Sequence, residues 1–168
     1  MGIGVARDTV DVAYSGRDRL VAYSLVAAQA ILIAGIVLVP ERRDWPLPEA
    51  ARIAAWTVVG LALAMGLWAA KWLGVGLTAL PLPNGRVQLI TNGPYRWVRH
   101  SIYSAVMLGM AAVAVMARSA AAAALAVALV VLLEVKSRWE ERHLTASFPG
   151  YAAYREVTGR FVPGVGKG

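Results

Sequence analysis

Two clusters of polar and aromatic residues border long apolar runs, and their side chains are the ones most suited to chemistry. The first extends from Thr91 to Tyr103 and combines a Gly-Pro turn, two arginines, a histidine and three aromatic rings. The second extends from Lys136 to His143 and combines a lysine, two arginines, two glutamates and a histidine. Both are expected at the same end of two consecutive helices. Such a convergence of cationic, acidic and aromatic groups predicts a functional site.

Helical spacing groups these side chains further. His100 and Tyr103 are three positions apart, and Lys136 and Glu140 are four apart, so each pair shares one helix face. Taken separately, each cluster also has an ordinary structural explanation. The aromatic rings fit a belt at lipid headgroup level, and the charges fit intrahelical ion pairs worth about 0.2–0.5 kcal/mol each. Glu134 lies at a membrane edge, where an ionisable group is a functional candidate.

Several kinds of site are not expected from these residues. Two histidines and scattered carboxylates lack the ligand spacing of a metal site, and His143 is predicted to be a solvated surface residue. Cysteine is absent, which excludes disulfides and thiolate ligands. The G-x-G-x-x-G pattern of a soluble nucleotide-binding fold is also missing, because Gly74-Val75-Gly76 has neither a third glycine nor a preceding strand.

The composition predicts a membrane protein. Hydrophobic residues make up 58% of the chain and charged residues 16%, and the mean hydropathy is +0.56. A helix needs about 20 apolar residues to cross a bilayer, with about 17 as the lower limit. Four uncharged runs are present, of 20, 18, 17 and 15 residues: Leu20–Val39, Ile53–Ala70, Ser101–Ala117 and Ser119–Leu133. The fourth is long enough only if it continues through Glu134 and Val135. The fold class predicted is all-α and polytopic, with about four transmembrane helices.

The chain is interpreted as one membrane-embedded domain, residues 1–168, with three parts. Residues 1–19 form an N-terminal segment, 20–72 a scaffold hairpin, and 73–168 the half that carries the predicted functional site. The first apolar run is too long for a signal peptide and is followed by three more. Gln29, the amide in its middle, is expected to bond another helix. The fourth helix, rich in alanine, is expected to pack tightly on the third, and Thr145–Val162 to form an amphipathic helix.

The charges predict the orientation in the membrane. With four spans, the N-terminal segment, the central loop and the C-terminal segment share one side and hold 13 of the 17 Lys and Arg residues. Such a bias places both termini in the cytoplasm. Anionic lipid and topology explain the net charge of +7, so no nucleic-acid partner is expected. Pro81, Pro83, Gly85, Gly93 and Pro94 interrupt the central loop, which is expected to lie along the interface and cover a cavity.

The order of the motifs resembles a known enzyme family. Several short sequences follow one another: Gly93-Pro94-Tyr95, Arg99-His100-Ser101-Ile102-Tyr103, Glu140-Glu141-Arg142-His143-Leu144, Phe148, Tyr151, Tyr154 and Phe161-Val162-Pro163. This series, from about Gly74 to Pro163, resembles the isoprenylcysteine carboxyl methyltransferases and the related phospholipid N-methyltransferases. The resemblance implies an integral-membrane methyltransferase that uses S-adenosylmethionine and releases S-adenosylhomocysteine. Its cofactor pocket would lie at the cytoplasmic end of the last two helices, under the C-terminal segment.

The resemblance also implies roles for individual residues. The cofactor would be lined by Val87, Gln88, Leu89, Ile90, Tyr95, His100, Ser101, Ile102, Tyr103 and Glu140. The family's substrate-facing arginine falls on Lys136, and Lys136, Arg138 and Glu141 are the residues expected to act in catalysis. Lysine is a point charge without the two-pronged grip of arginine on a carboxylate, and Arg138 could compensate. Ser101 replaces the family's proline, and both residue types suit a helix start.

The acceptor is expected to be a membrane lipid or another lipophilic or lipidated molecule. O-methylation of a carboxylate, as in isoprenylcysteine carboxyl methyltransferases, is the leading interpretation, and a carboxylate nucleophile needs no general base. Amine N-methylation would need one, for which Glu134 or Glu141 is the candidate. Two other classes stay open. One is a membrane reductase that binds a nicotinamide cofactor, as related sterol reductases do. The other is a membrane partner that has lost activity.

Overall fold

The computed structural model describes residues 15–76 and 89–168. In this part of the chain, four long helices follow one another: α1 (Gly16–Leu38), α2 (Glu49–Leu73), α3 (Ser101–Ala117) and α4 (Ala120–Ser147). A short helix, α5 (Tyr151–Val157), follows them. Single 3-10 turns lie at Gly74–Gly76 and Gly93–Arg96. The predicted all-α fold is confirmed.

The long helices have the lengths and compositions of membrane spans. Helices α1, α2 and α4 contain 23, 25 and 28 residues and are apolar enough to cross a bilayer, while α3 contains 17. Large apolar side chains on these helices, such as Leu38, Leu67 and Val127, are exposed on the protein surface. Outward apolar side chains suit a lipid environment and would be unfavourable in water. The helix formed by the fourth apolar run continues through Glu134 and Val135 and ends at Ser147.

Small residues allow the helices to approach closely. An added Cβ on Gly66 would lie 3.5 Å from Ala105, and one on Gly109 would lie 3.4 Å from Ala62, so α2 and α3 pack through small side chains. Helix α3 packs mainly against α2. Helix α4 packs on α3, as expected from its alanines, but has its more extensive interface with α1.

The loop between α1 and α2 is bonded to the turn between α3 and α4. The backbone N–H of Arg42 donates to the Ala117 carbonyl over 2.8 Å, and that of Asp44 donates to the Arg118 carbonyl over 3.1 Å. The Asp44 carboxylate accepts from the N–H of Ala120 over 2.8 Å. Backbone groups left unpaired at two helix ends therefore find partners. These two connections lie together at one end of the bundle.

The C-terminal region differs from the single amphipathic helix predicted over Thr145–Val162. Helix α4 includes Thr145 and ends at Ser147, and α5 begins only at Tyr151 and ends at Val157. Pro149 and Gly150 separate the two helices, as a proline lacks the N–H that would continue the first one. After α5 the chain is extended and bonds to another segment, which a sequence pattern for one helix could not reveal.

Candidate functional site

The start of α3 and the last turns of α4 meet, and they bring together three of the predicted cofactor residues. The Tyr103 hydroxyl donates to Glu140 Oε2 over 2.8 Å. His100 Nδ1 lies 3.8 Å from the same carboxylate oxygen. The His100 and Tyr103 rings are stacked, with centroids 5.2 Å apart and planes 8° apart. The i, i+3 spacing thus places both rings against one carboxylate of the next helix.

Glu141, the next residue on α4, lies inside a buried group of cations. Arg99 Nε donates to Oε1 of Glu141 over 2.9 Å, and His100 Nε2 lies 3.2 Å from the same oxygen. Arg160 donates to Oε2 over 3.1 Å. A carboxylate accepts and never donates, so the hydrogen of this imidazole–carboxylate bond is on Nε2. Both oxygens of Glu141 are engaged, which gives this residue a positioning role toward His100.

A row of charges leads from Glu141 to the surface. Arg160 also donates to Glu134 Oε1 over 2.8 Å, and Arg138 Nε donates to the same oxygen over 2.7 Å. The Arg138 side chain is 63% exposed. The structure therefore places Arg138 at the solvent end of this row, joined to Glu134, and does not place it beside Lys136. Arg160 had no signal in the sequence, because its partners are 19 and 26 positions away.

Lys136 contacts both the Tyr103 ring and helix α1. Its Nζ donates to Gln29 Oε1 over 2.6 Å and is 5.1 Å from the centre of the Tyr103 ring. The residue is only 2% exposed. Gln29 therefore makes the helix–helix hydrogen bond that was expected of it. That bond brings α1 into contact with the site, although the first hairpin was interpreted as scaffold.

The segment after α5 crosses the site as an extended strand-like piece. The N–H of Arg99 donates to the Gly159 carbonyl over 2.9 Å, and that of His100 donates to the Arg160 carbonyl over 3.0 Å. An added Cβ on Gly159 would overlap the Val162 carbonyl oxygen. Phe161 packs on His100 with ring centroids 5.8 Å apart. This segment therefore covers the His100 imidazole.

Arg99 fastens the same segment through its side chain. Its Nη1 donates to the carbonyl oxygens of Arg155, over 3.1 Å, and Thr158, and its Nη2 donates to that of Gly166 over 2.9 Å. Buried carbonyl groups need such donors. Arg99 was predicted only as part of the motif, although its position directly before His100 was a signal for a role beside the imidazole.

Comparison with known proteins assigns the chain to a family. Residues 51–150 match the family model described as phospholipid methyltransferase. This match covers more than half of the 168 residues. The chain belongs to the phospholipid methyltransferase family. The predicted resemblance is confirmed, and the family is one of methyltransferases. The match contains α3, α4 and all but the first two residues of α2, but it leaves out α1, α5 and the segment after α5.

A named relative matches part of the chain. The cobalt-zinc-cadmium resistance protein CzcN of Cupriavidus metallidurans is 33% identical over 108 residues. The aligned region is 62% of this chain and 45% of that protein. The chain therefore spans less than half the length of this relative.

Tyr95, another residue predicted to line the cofactor, is buried between two helices. Its hydroxyl donates to the Ala69 carbonyl over 3.3 Å, and its own carbonyl accepts from the Tyr154 hydroxyl. Burial, with the Glu140 carboxylate as a second cause, raises the pKa of Tyr95 to about 12. Burial also raises the pKa of Tyr154. Both phenols are therefore neutral hydrogen-bond donors near pH 7.

The other predicted cofactor residues have simpler surroundings. The Ser101 hydroxyl donates to the Val98 carbonyl over 2.8 Å, which closes the turn before α3. Ile102 is half-buried, and Leu89 and Ile90 are half-buried in an irregular stretch. Val87 and Gln88 lie outside the described residues, as does most of the central loop that was expected to cover a cavity.

His143 is not the solvated residue that was expected. Its ring packs on Trp139 with centroids 4.1 Å apart, and Nε2 lies 3.8 Å from Asp18 Oδ1. Asp18 also caps α1, because its carboxylate accepts from the Ser15 backbone N–H while its own N–H donates to the Ser15 hydroxyl. The start of α1 therefore lies beside the end of α4. In residues 15–76 and 89–168, no group of three His, Asp or Glu side chains is arranged to hold a metal ion.

Proposed function

We propose that this protein transfers a methyl group from S-adenosylmethionine to a lipophilic acceptor at the cytoplasmic face of the membrane. The observation that carries the proposal is the group formed by His100, Tyr103 and Glu140, where α3 begins and α4 ends. This group lies in a region that matches a methyltransferase family. It also lies at the ends of two apolar helices, of which α4 is long enough to span a bilayer, so an acceptor dissolved in the membrane can reach it.

The residues present fit the polar parts of S-adenosylmethionine. Glu140 Oε2 accepts the Tyr103 hydroxyl, and Oε1 has no partner among the described residues. The Glu140 side chain is 24% exposed. A carboxylate oxygen that is partly exposed suits a ribose hydroxyl or an ammonium group. We assign Glu140 to that contact, with the stacked rings of His100 and Tyr103 beside it.

When bound, S-adenosylmethionine supplies a methyl group already activated on a sulfonium sulfur. The protein then has to align the acceptor with that methyl group and keep water out. Tyr103 holds the Glu140 carboxylate, and Glu141 holds the His100 ring through Nε2. Phe161 and the segment around it cover His100. Each of these contacts orients or shields a group that the proposal places against the cofactor.

The charges favour a carboxylate acceptor, and therefore O-methylation as in isoprenylcysteine carboxyl methyltransferases. Glu141 is bonded to three cationic or imidazole groups, and Glu134 to two arginines. Neither is available to take a proton from an amine. A carboxylate acceptor needs no base and would be attracted to the buried ammonium of Lys136. Lys136 is the residue we propose to face the acceptor, whereas Glu141 and Arg138 act through the ion-pair row.

Amine N-methylation is the second candidate, because the matched family model is described as phospholipid methyltransferase.

One assay can test both O-methylation and N-methylation. The purified protein is incubated in detergent with methyl-labelled S-adenosylmethionine and either N-acetyl-S-farnesylcysteine, phosphatidylethanolamine or a native lipid extract. A methyl ester releases its label as methanol in alkali, whereas an N-methyl group keeps it. We expect alkali-labile label, with S-adenosylhomocysteine formed in equal amount.

The same preparation tests the remaining classes. A membrane reductase would bind a nicotinamide cofactor, and an inactive membrane partner would bind neither cofactor. Titration with NADPH and with S-adenosylmethionine separates these cases. Binding of NADPH alone, or of neither molecule, would overturn the proposal.

We also propose that both termini are cytoplasmic. The start of α1 and the end of α4 lie together, as the Asp18–His143 contact shows, and the site lies at that end. The loop between α1 and α2 and the turn between α3 and α4 are bonded to each other through Asp44, and both lie at the other end of the helices. The bias of 13 against 4 basic residues supports a cytoplasmic position for the site.

A further inference from the structure

Gln29 is a polar residue of α1 that bonds to a residue of the site. It lies outside residues 51–150, which match the family, yet its amide oxygen accepts from Lys136 Nζ over 2.6 Å. Lys136 is buried and lies against the Tyr103 ring. Tyr103 in turn bonds Glu140. Lys136 and Tyr103 therefore connect the Gln29 amide to the Glu140 carboxylate, which we assign to the cofactor.

The direction of this bond has a chemical consequence. An amide has an acceptor oxygen and an NH2 group with two donors on the same carbon. Because the oxygen of Gln29 faces the ammonium, its NH2 group is held next to Lys136 as a further donor. An ammonium alone is a point charge, whereas a carboxylate is best bound by two parallel N–H donors. The pair of side chains offers two donors from two helices.

We propose that Gln29 is a specificity-determining residue, whose amide NH2 and the Lys136 ammonium together bind one carboxylate of the acceptor. The inference rests on the proposed function, since it deepens the choice of a carboxylate acceptor. It gives the first hairpin a part in acceptor recognition. The simpler explanation is that Gln29 only satisfies a buried charge. In that case its loss would weaken folding, and it would not change the choice between acceptors.

The test compares two ligands that differ in charge. N-Acetyl-S-farnesylcysteine carries a carboxylate, and its carboxamide is neutral with nearly the same shape. Dissociation constants for both are measured by equilibrium binding to the full chain in detergent, for the wild type and for Gln29→Ala, Gln29→Glu and Lys136→Arg. Ser24→Ala is the matched control, because Ser24 is an exposed polar residue of the same helix. Retained binding of S-adenosylmethionine and a single gel-filtration peak show that each variant is folded.

We expect the wild type and Ser24→Ala to prefer the carboxylate ligand. Gln29→Ala should reduce that preference about tenfold, the effect of losing one hydrogen bond to a charged group. Gln29→Glu should abolish it, because a second carboxylate neutralises the ammonium. In the Lys136→Arg background, Gln29→Ala should have little effect, since the guanidinium alone provides two donors. If Gln29 had only a structural role, Lys136→Arg would not restore the preference for the carboxylate ligand.

The outcomes separate this inference from the proposed function. If the wild type binds S-adenosylmethionine but shows no preference for the carboxylate ligand, the proposed acceptor class is wrong and the inference falls with it. Two results would overturn only the inference, provided that the wild type prefers the carboxylate ligand. One is that Gln29→Ala keeps this preference. The other is that Gln29→Ala loses the preference equally in the wild-type chain and in Lys136→Arg. If Gln29→Ala does not fold, Gln29→Glu is the test. A Gln29→Glu protein that still prefers the carboxylate ligand would contradict the two-donor arrangement.

Discussion

Arg99 and Glu141 form a buried ion pair that joins the residue before α3 to the last turns of α4. Arg99 Nε and Glu141 Oε1 are 2.9 Å apart, and the two side chains are 1% and 4% exposed. The same arginine holds three carbonyl groups of the C-terminal region, and the same glutamate holds His100. One ion pair therefore fixes the position of the imidazole and of the segment that covers it.

Glu141→Gln should lower the stability of the fold more than the substitution of any exposed charged residue does. Removing one charge of a buried pair leaves the other uncompensated and costs about 3–5 kcal/mol. Thermal unfolding in detergent measures this as a lower Tm. Arg138→Ala is the control, because its exposed pair with Glu134 is worth about 0.5 kcal/mol or less. A Glu141→Gln protein with wild-type Tm but a greatly reduced kcat would instead indicate a direct part in the chemistry.

Glu140→Ala and His100→Ala should abolish S-adenosylmethionine binding at concentrations that saturate the wild type. The first removes the carboxylate proposed to hold the cofactor, and the second removes the ring stacked on Tyr103. Isothermal titration on detergent-purified protein measures the affinity, and circular dichroism checks that the helices are present. Glu156→Ala, an exposed carboxylate on α5, should bind as the wild type does. Unchanged affinity in both site variants would refute the site assignment.

Gly159→Ala should disturb the site, and Gly150→Ala should not. A Cβ at Gly159 overlaps the Val162 carbonyl, whereas one at Gly150 meets no atom within 4 Å. Gly150 has φ −81°, which alanine adopts freely. We expect weaker cofactor binding and faster proteolysis of the C-terminal segment in the first variant alone. Equal behaviour of the two variants would show that the segment does not cover the site.

Stability should fall at alkaline pH partly because of Tyr95. Its pKa is about 12 in the folded protein and about 10 in an unfolded chain. The buried neutral phenol therefore stabilises the fold fully below about pH 10, and that contribution is lost as the pH rises toward 12. The Tm of the wild type should drop more over this interval than that of Tyr95→Phe. Parallel Tm curves for the two proteins would contradict the raised pKa.

The proposed orientation can be tested by cysteine labelling, because the natural chain has no cysteine. Arg43 lies in the connection between α1 and α2, and Lys167 lies near the C-terminus, and both are exposed. In intact cells, a membrane-impermeant maleimide should label Arg43→Cys but not Lys167→Cys. After permeabilisation both should react. The reverse pattern would place the site on the outer face.

Much of the fold follows from the sequence because the signals are local. An uncharged run of about 20 residues must be helical in a bilayer, where each backbone N–H and C=O needs a partner within its own segment. The pairing of His100 with Tyr103 follows from helical spacing. The C-terminal region was predicted less well, because the bonds after Val157 run to Arg99 and His100, about sixty positions earlier in the chain.

The amino-acid sequence alone predicts an all-α chain of apolar helices and the motifs that a methyltransferase site would use. The structure was needed to show how the charged residues of those motifs are paired. It assigned Glu141 to Arg99, His100 and Arg160, left one oxygen of Glu140 open among the described residues, and joined Lys136 to Gln29. Neighbouring carboxylates in a motif look alike in one dimension. Their roles differ because successive helix positions point about 100° apart, so that one side chain meets buried cations and the next meets the site.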